Sequence, residues 1–246
     1  MFFYFPAIFQ SIFFVLILGF ISYYGNFFWL LFFVFLVYVF LTFRPTAKTW
    51  DGWYIGLIFF ISAWTILHLI DYDIERRIFV ILAGLVNYFL IFGIYRIKSK
   101  PDSRTAKAVI AMSLMAVAFL FFTATYGVYL NFDVSAWTLM VFYFVNIGLM
   151  SYQYFLLIGE NRKKIAALYS LILGFVSLEM AWIVNFWPFG YLTTGVILLM
   201  FYYIIWDIAQ NYFLNILSIR KVVINLIFFL LTSAVVLYSS PWLTKI

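Results

Sequence analysis

The chain has 246 residues, of which 67% are hydrophobic and 10% charged, whereas soluble domains carry about 45–50% apolar and about 25% charged residues. This composition excludes a soluble globular domain, because no water-surrounded core could bury so much apolar surface. The net charge of +6 in so apolar a chain indicates contact with anionic lipid headgroups and excludes nucleic acid as the expected partner.

Apolar stretches of about 20 residues recur along the chain, and each is long enough to cross a hydrocarbon core about 30 Å thick as an α-helix. They are apolar on all sides, which excludes the alternating pattern of a membrane β-barrel. The predicted membrane-spanning helices are 3–22, 26–43, 53–71, 77–96, 107–130, 134–158, 164–187, 189–215 and 222–242. The sequence therefore predicts an all-α, polytopic transmembrane bundle of about nine helices, forming one domain over residues 1–246 with no extramembranous domain.

The first two predicted helices are rich in phenylalanine and nearly free of polar residues. The segment Met1 to Ile21 lacks the basic start and small-residue cleavage site of a secretory signal, so we expect it to be retained as a helix. These two helices are expected to face lipid or a partner membrane protein.

Basic residues alternate along the connections. Twelve of the fifteen Lys and Arg residues fall in every second connection, namely those after the predicted helices that end at 43, 96, 158 and 215. Because Lys and Arg accumulate on the cytoplasmic side of membranes, this pattern predicts a cytoplasmic N-terminus and an external C-terminus. The chain contains no Asn-x-Ser/Thr acceptor, which fits a bacterial cytoplasmic membrane.

The connection between the third and fourth predicted helices combines acids and bases. His68 precedes Asp71 by three residues, so on a continuous helix both would lie on one face near the outer boundary. We expect a structural pair there, with a proton relay as the less favoured alternative. Asp71, Asp73 and Glu75 beside Arg76 and Arg77 are expected to form a solvated connection, and no metal site is predicted.

The residue inventory excludes several membrane chemistries. The chain has one histidine and no cysteine, so bis-histidine haem, multi-histidine di-iron sites and zincin motifs are excluded within it. No lysine lies in the interior of a predicted helix, which excludes a retinal Schiff base. No cofactor is therefore predicted, and no nucleotide-binding or nucleophile-elbow motif is present.

Two acids lie inside apolar helices, Glu179 and Asp207. An ionisable group within a membrane span is costly, so such residues indicate a functional site or a specific partner. Asn87 and Asn146 fall at a similar predicted depth to Glu179, with Gln153 further inward. These five residues are the candidate buried polar site, either as a substrate or proton pathway or as hydrogen bonds that join helices.

The run from Glu179 to Pro188 reads Glu-Met-Ala-Trp-Ile-Val-Asn-Phe-Trp-Pro. It resembles a helix ending of the type Glu-x-Ala followed by Phe-Trp-Pro, found in an uncharacterised family of multi-pass bacterial membrane proteins. The resemblance covers about the last third of the chain and continues through Tyr202 to Lys221. It implies about nine helices and no particular activity.

Three functions remain open at this point. We expect a non-enzymatic membrane protein, a structural or accessory subunit that binds partner helices or lipids, because it requires the fewest features that the sequence lacks. The alternative is a small-molecule or ion transporter that uses Glu179, Asn87 and Asn146. The third is a lipid-modifying enzyme with polar residues gathered at one membrane interface. No sequence feature fixes the oligomeric state.

Overall fold

The computed structural model describes residues 5–23, 33–34, 37–38, 52–101, 103–159 and 162–239. Over these ranges all regular secondary structure is helical. The helices are α1 (Phe5–Tyr23), α2 (Trp53–Leu69), α3 (Asp73–Ser99), α4 (Arg104–Asn131), α5 (Ala136–Ile158), α6 (Lys163–Val184), α7 (Tyr191–Phe213) and α8 (Ile219–Ser239). An all-α fold is thus confirmed for the part of the chain that the structure describes.

Six of these helices, α1 and α3 to α7, are long and apolar enough to cross a bilayer, which is consistent with an integral membrane protein. Helix α2 and residues 222–235 of α8 are apolar but shorter. The predicted helix 26–43 lies outside the described residues except at 33–34 and 37–38, which are helical. The prediction of about nine helices therefore stays a prediction.

Two helix ends differ from the predicted limits, each because of a local feature that hydropathy does not register. Helix α3 begins at Asp73, not at residue 77, and places Asp73 and Glu75 in its first turn, where carboxylates interact favourably with the helix dipole. Helix α6 ends at Val184, before Pro188, in a turn in which the Trp187 amide donates to the Val184 carbonyl at 3.0 Å. Hydropathy marks the limits of the apolar layer, whereas charge, capping and proline set the limits of the helix.

The helices group into two compact units, residues 1–120 and 121–246. In the first unit α1 packs against α3, and α2 packs against both. Gly84 of α3 lies against the Val15 side chain of α1, which leaves no room for a Cβ atom. The absence of a side chain at Gly84 therefore permits the close approach of α1 and α3.

In the second unit α5 and α6 form the most extensive helix pair, and α7 packs against α6 and α8. A Cβ atom on Gly174 of α6 would lie 2.6 Å from the Phe144 carbonyl oxygen of α5. Gly195 of α7 lies against the Thr123 side chain, which leaves no room for a Cβ atom. Small residues at these crossings allow the backbones to approach closely, as is common between helices in membranes.

Candidate functional site

Glu179 lies on the outer face of α6. The buried residues of this helix recur at three- and four-residue intervals and are Ala166, Ser170, Leu173, Gly174, Ser177, Ala181 and Val184. Glu179 follows Ser177 by two residues, which is about 200° around the helix, and its side chain is exposed. The expectation that Glu179 is buried was therefore wrong, because the small residues on the opposite face of α6 are the ones that pack against α5.

The two asparagines of the predicted cluster are buried, but in different units. Asn146 of α5 is 5% exposed and donates to the Phe142 carbonyl of its own helix at 2.7 Å. Asn87 of α3 is 2% exposed and donates to the Tyr38 hydroxyl at 3.4 Å within the first unit. Gln153 of α5 is half-buried. The amides thus lie inside their units as expected, whereas Glu179 is not among them.

Asp207 of α7 is the acid that lies within a polar network. Its Oδ2 atom accepts a hydrogen bond from Asn211 Nδ2, one turn further along α7, at 2.8 Å. Asn225 Nδ2 of α8 donates to the same oxygen. One carboxylate oxygen therefore accepts from two amides, and the bond from Asn225 joins α7 to α8.

The polar residues continue from α7 to α5. The Tyr154 hydroxyl donates to Gln210 Oε1 at 2.8 Å, and the hydroxyls of Ser151 and Tyr202 lie 3.0 Å apart. The Tyr154 ring also packs against Trp206, with centroids 5.2 Å apart. Helices α5, α7 and α8 are therefore joined by polar side chains near the end of the second unit that carries Arg162 and Arg220.

Sequence reasoning found Asp207 but missed its partners. Only the Asp207–Asn211 pair could have been predicted, because a spacing of four residues puts two side chains on one helix face. Asn225 reaches Asp207 through the packing of α8 against α7, and Tyr154 reaches Gln210 from α5; no local pattern signals either contact. We name Asp207, Asn211 and Asn225 the Asp207 network; Tyr154 with Gln210 and Ser151 with Tyr202 form two further hydrogen-bonded pairs in the same unit.

At the same end, Arg162 connects the start of α6 to the end of α7. Its Nη1 donates to the Phe213 carbonyl oxygen at 3.0 Å, and its guanidinium lies 5.9 Å from the Phe213 ring centroid. This contact satisfies one of the carbonyl groups that a helix C-terminus leaves unpaired. Arg162 is one of the basic residues that indicate the membrane orientation, and it also joins the start of α6 to the end of α7.

The expected His68–Asp71 pair required the predicted helix 53–71 to continue to Asp71, and the helix ends before that residue. Helix α2 ends at Leu69, so Asp71 lies in the connection and not one turn beyond His68 on the same face. His68 Nδ1 lies 3.0 Å from the Trp64 carbonyl, and the two rings pack edge to face at 5.1 Å. Among the described residues, no three acid or histidine side chains converge as they would around a metal ion.

A family model described as "Protein of unknown function (DUF5656)" matches residues 40–239, which is most of the chain. The match confirms membership of an uncharacterised family, and the nine helices and the Phe-Trp-Pro helix ending stay predictions. Neither the curated proteins nor the solved structures contain a significant match.

Proposed function

The chain belongs to the DUF5656 family, and we propose that it is a non-enzymatic integral membrane protein, an accessory subunit that binds a transmembrane helix of another membrane protein. The proposed contact is the outer face of α6, centred on Glu179. The observation that carries this proposal is an exposed carboxylate in an otherwise apolar stripe of a membrane-length helix.

The stripe follows helical spacing on both sides of the acid. Its exposed residues within α6 are Leu168, Ile172, Phe175, Glu179 and Trp182, and the exposed Phe186 follows in the turn after the helix. The rings of Trp182 and Phe186 pack edge to face with centroids 5.2 Å apart. Aromatic residues next to one polar group are typical of the centre of a protein interface.

Lipid is a poor neighbour for Glu179. Charged residues at the centre of a membrane helix cost about 2.5–3.5 kcal/mol on insertion scales. Glu179 lies about 8 Å along the axis from the midpoint of α6, at 1.5 Å per residue, so the cost is smaller there but has the same sign. A partner helix with a Lys, Arg or amide side chain at this depth would satisfy the carboxylate and would bury the aromatic rings beside it.

The basic connections favour one membrane topology, which we include in this proposal. The chain has about nine membrane-spanning helices in a bacterial cytoplasmic membrane, with the N-terminus inside and the C-terminus outside. In that arrangement Glu179 faces the outer leaflet, and the partner helix carries its donor side chain in the same leaflet.

Purification in native nanodiscs followed by quantitative mass spectrometry tests the proposal. We expect a stoichiometric partner membrane protein with the wild-type chain and a clear loss of it with Glu179→Gln. Glu75→Gln is the matched control, because it makes the same change at an exposed acid in the first turn of α3. A wild-type chain that purifies alone, or a partner that is retained equally by both variants, would contradict the proposal.

The Asp207 network supports a second candidate, a small-molecule or ion transporter. A half-buried carboxylate that receives amide hydrogen bonds from α7 and α8 could bind a cation or a proton within a membrane bundle. In proteoliposomes, Asp207→Asn should then abolish flux while Asp133→Asn, at an exposed acid between α4 and α5, should not. The lipid-modifying enzyme is the third proposal and has the least support from these contacts.

A further inference from the structure

The connection between α3 and α4 carries the largest group of basic residues in the chain. Five bases fall within twelve residues there, and the one acid among them is Asp102, which leaves a local net charge of +4. The bases are Arg96, Lys98, Lys100, Arg104 and Lys107. A ligand that neutralises this charge must therefore be an anion.

These bases lie where the apolar layer of both helices ends. Helix α3 has no charged residue between Arg77 and Arg96, and α4 has none after Lys107. The uncharged stretch of α3 is about 27 Å long at 1.5 Å per residue, which is close to the thickness of about 30 Å of a hydrocarbon core. Residues that follow directly after such a stretch lie at the depth of the lipid headgroups.

Helices α3 and α4 meet just before this connection. A Cβ atom on Gly93 of α3 would lie 3.3 Å from the backbone nitrogen of Ile110 in α4. From this crossing Lys107 is about 4.5 Å further along the helix axis, Arg104 about 9 Å and Lys100 about 10 Å. Arg104 and Lys107 are three residues apart and so lie on the same side of α4. The close crossing therefore brings bases from both helices to one end of a helical hairpin.

Three of these side chains are available to a ligand. Lys100 and Arg104 are exposed and Lys107 is half-buried. Within the described part of the chain, none of the three side chains forms a hydrogen bond or an ion pair. Arg96 differs, because its guanidinium carbon lies 5.7 Å from the Phe92 ring centroid. We name Lys100, Arg104 and Lys107 the basic cluster.

We propose that the basic cluster binds the headgroup of a phospholipid with two phosphates, of the diphosphatidylglycerol type. The Arg104 guanidinium matches phosphate oxygens in shape and charge, and Lys100 and Lys107 supply two further cations. A headgroup with one phosphate would leave two of the three cations without a counter-charge. Basic groups between membrane helices at the interface are known to bind such headgroups. The site is in the first unit and does not depend on the proposed contact at Glu179.

The experiment is native mass spectrometry of the full chain in a neutral detergent. Diphosphatidylglycerol and phosphatidylglycerol with identical acyl chains are added at equal phosphate concentration. We expect diphosphatidylglycerol to bind about fivefold more tightly, because each base near a membrane surface contributes a factor of about five. Arg104→Gln and Lys107→Gln should each weaken its binding about fivefold. Arg104→Lys keeps the charge and should keep most of the binding.

Lys163→Gln is the matched control, because it removes the same charge at an exposed base of the second unit. It should leave the binding of diphosphatidylglycerol unchanged, as should Glu179→Gln. Size-exclusion chromatography and thermal unfolding verify that each variant is folded. Equal binding of the two lipids to the wild-type chain would overturn the proposal. It would also be overturned if Lys163→Gln weakened binding as much as Arg104→Gln, or if a copurifying acidic protein occupied the basic cluster in place of lipid.

Discussion

Replacing Gly174 by alanine tests the close crossing of α5 and α6. The new Cβ would lie 2.6 Å from the Phe144 carbonyl oxygen, and ordinary contact begins at about 3.4 Å. The two helices must therefore separate by about 0.8 Å, because the obstacle is backbone and cannot rotate away. Forcing extra volume into a packed interior typically costs about 1–3 kcal/mol.

Gly148→Ala is the matched control on the facing helix. A Cβ there would lie 3.6 Å from the Ser170 carbonyl oxygen, which is ordinary van der Waals contact. Both changes gain the same helix propensity, about 1 kcal/mol, so their difference isolates the cost of the crossing.

The assay is thermal unfolding in nanodiscs, followed by tryptophan fluorescence. Gly174→Ala should unfold several degrees below Gly148→Ala, since 1 kcal/mol corresponds to about 2–4 °C for a domain of 150–250 residues. If Gly174→Ala is as stable as Gly148→Ala or more stable, then α5 and α6 do not cross as described.

Two further changes test the contacts near the basic end of the second unit. Arg162→Gln removes the hydrogen bond to the Phe213 carbonyl and should reduce the free energy of unfolding by about 1 kcal/mol. Lys163→Gln, at the neighbouring exposed base, should not reduce it. Equal effects of the two changes in a denaturant titration would refute the contact. Asn225→Leu removes the hydrogen bond from α8 to Asp207 and should cost about 0.6–1.7 kcal/mol, measured by the same titration. Thr232→Val is its control, because the Thr232 hydroxyl donates to the Phe228 and Phe229 carbonyls of its own helix. A loss in the control as large as in Asn225→Leu would count against the network.

The apolar helices could be predicted from the sequence because membrane length and hydropathy are local properties. Six membrane-length helices lie where apolar stretches predicted them, and Asn87 and Asn146 are buried as expected. The ends of α3 and α6 were less predictable, since Asp73 continues the helix beyond the apolar layer and the turn before Pro188 shortens it.

The direction of each buried or exposed acid is harder to predict. Hydropathy places Glu179 and Asp207 inside spans but does not tell which way a side chain points on a helix that is apolar on all sides. For α6 a signal was present, because Ser170, Gly174 and Ser177 mark the packed face and Glu179 lies opposite to it. For Asp207 the four-residue spacing signals the pairing with Asn211, whereas its other partner, Asn225, comes from another helix and has no local signal.

Site-specific photocrosslinking from the outer face of α6 is the most direct test of the proposed subunit role. A benzophenone side chain replaces Phe175, which is 52% exposed one turn before Glu179, and in a control it replaces Phe228 of α8, which is 61% exposed. After irradiation of native membranes, we expect the Phe175 position to yield an adduct with one other membrane protein, reduced by Glu179→Gln, and the Phe228 position not to yield it. Adducts of the Phe175 position with lipid alone, or with a second copy of this chain, would contradict the proposal.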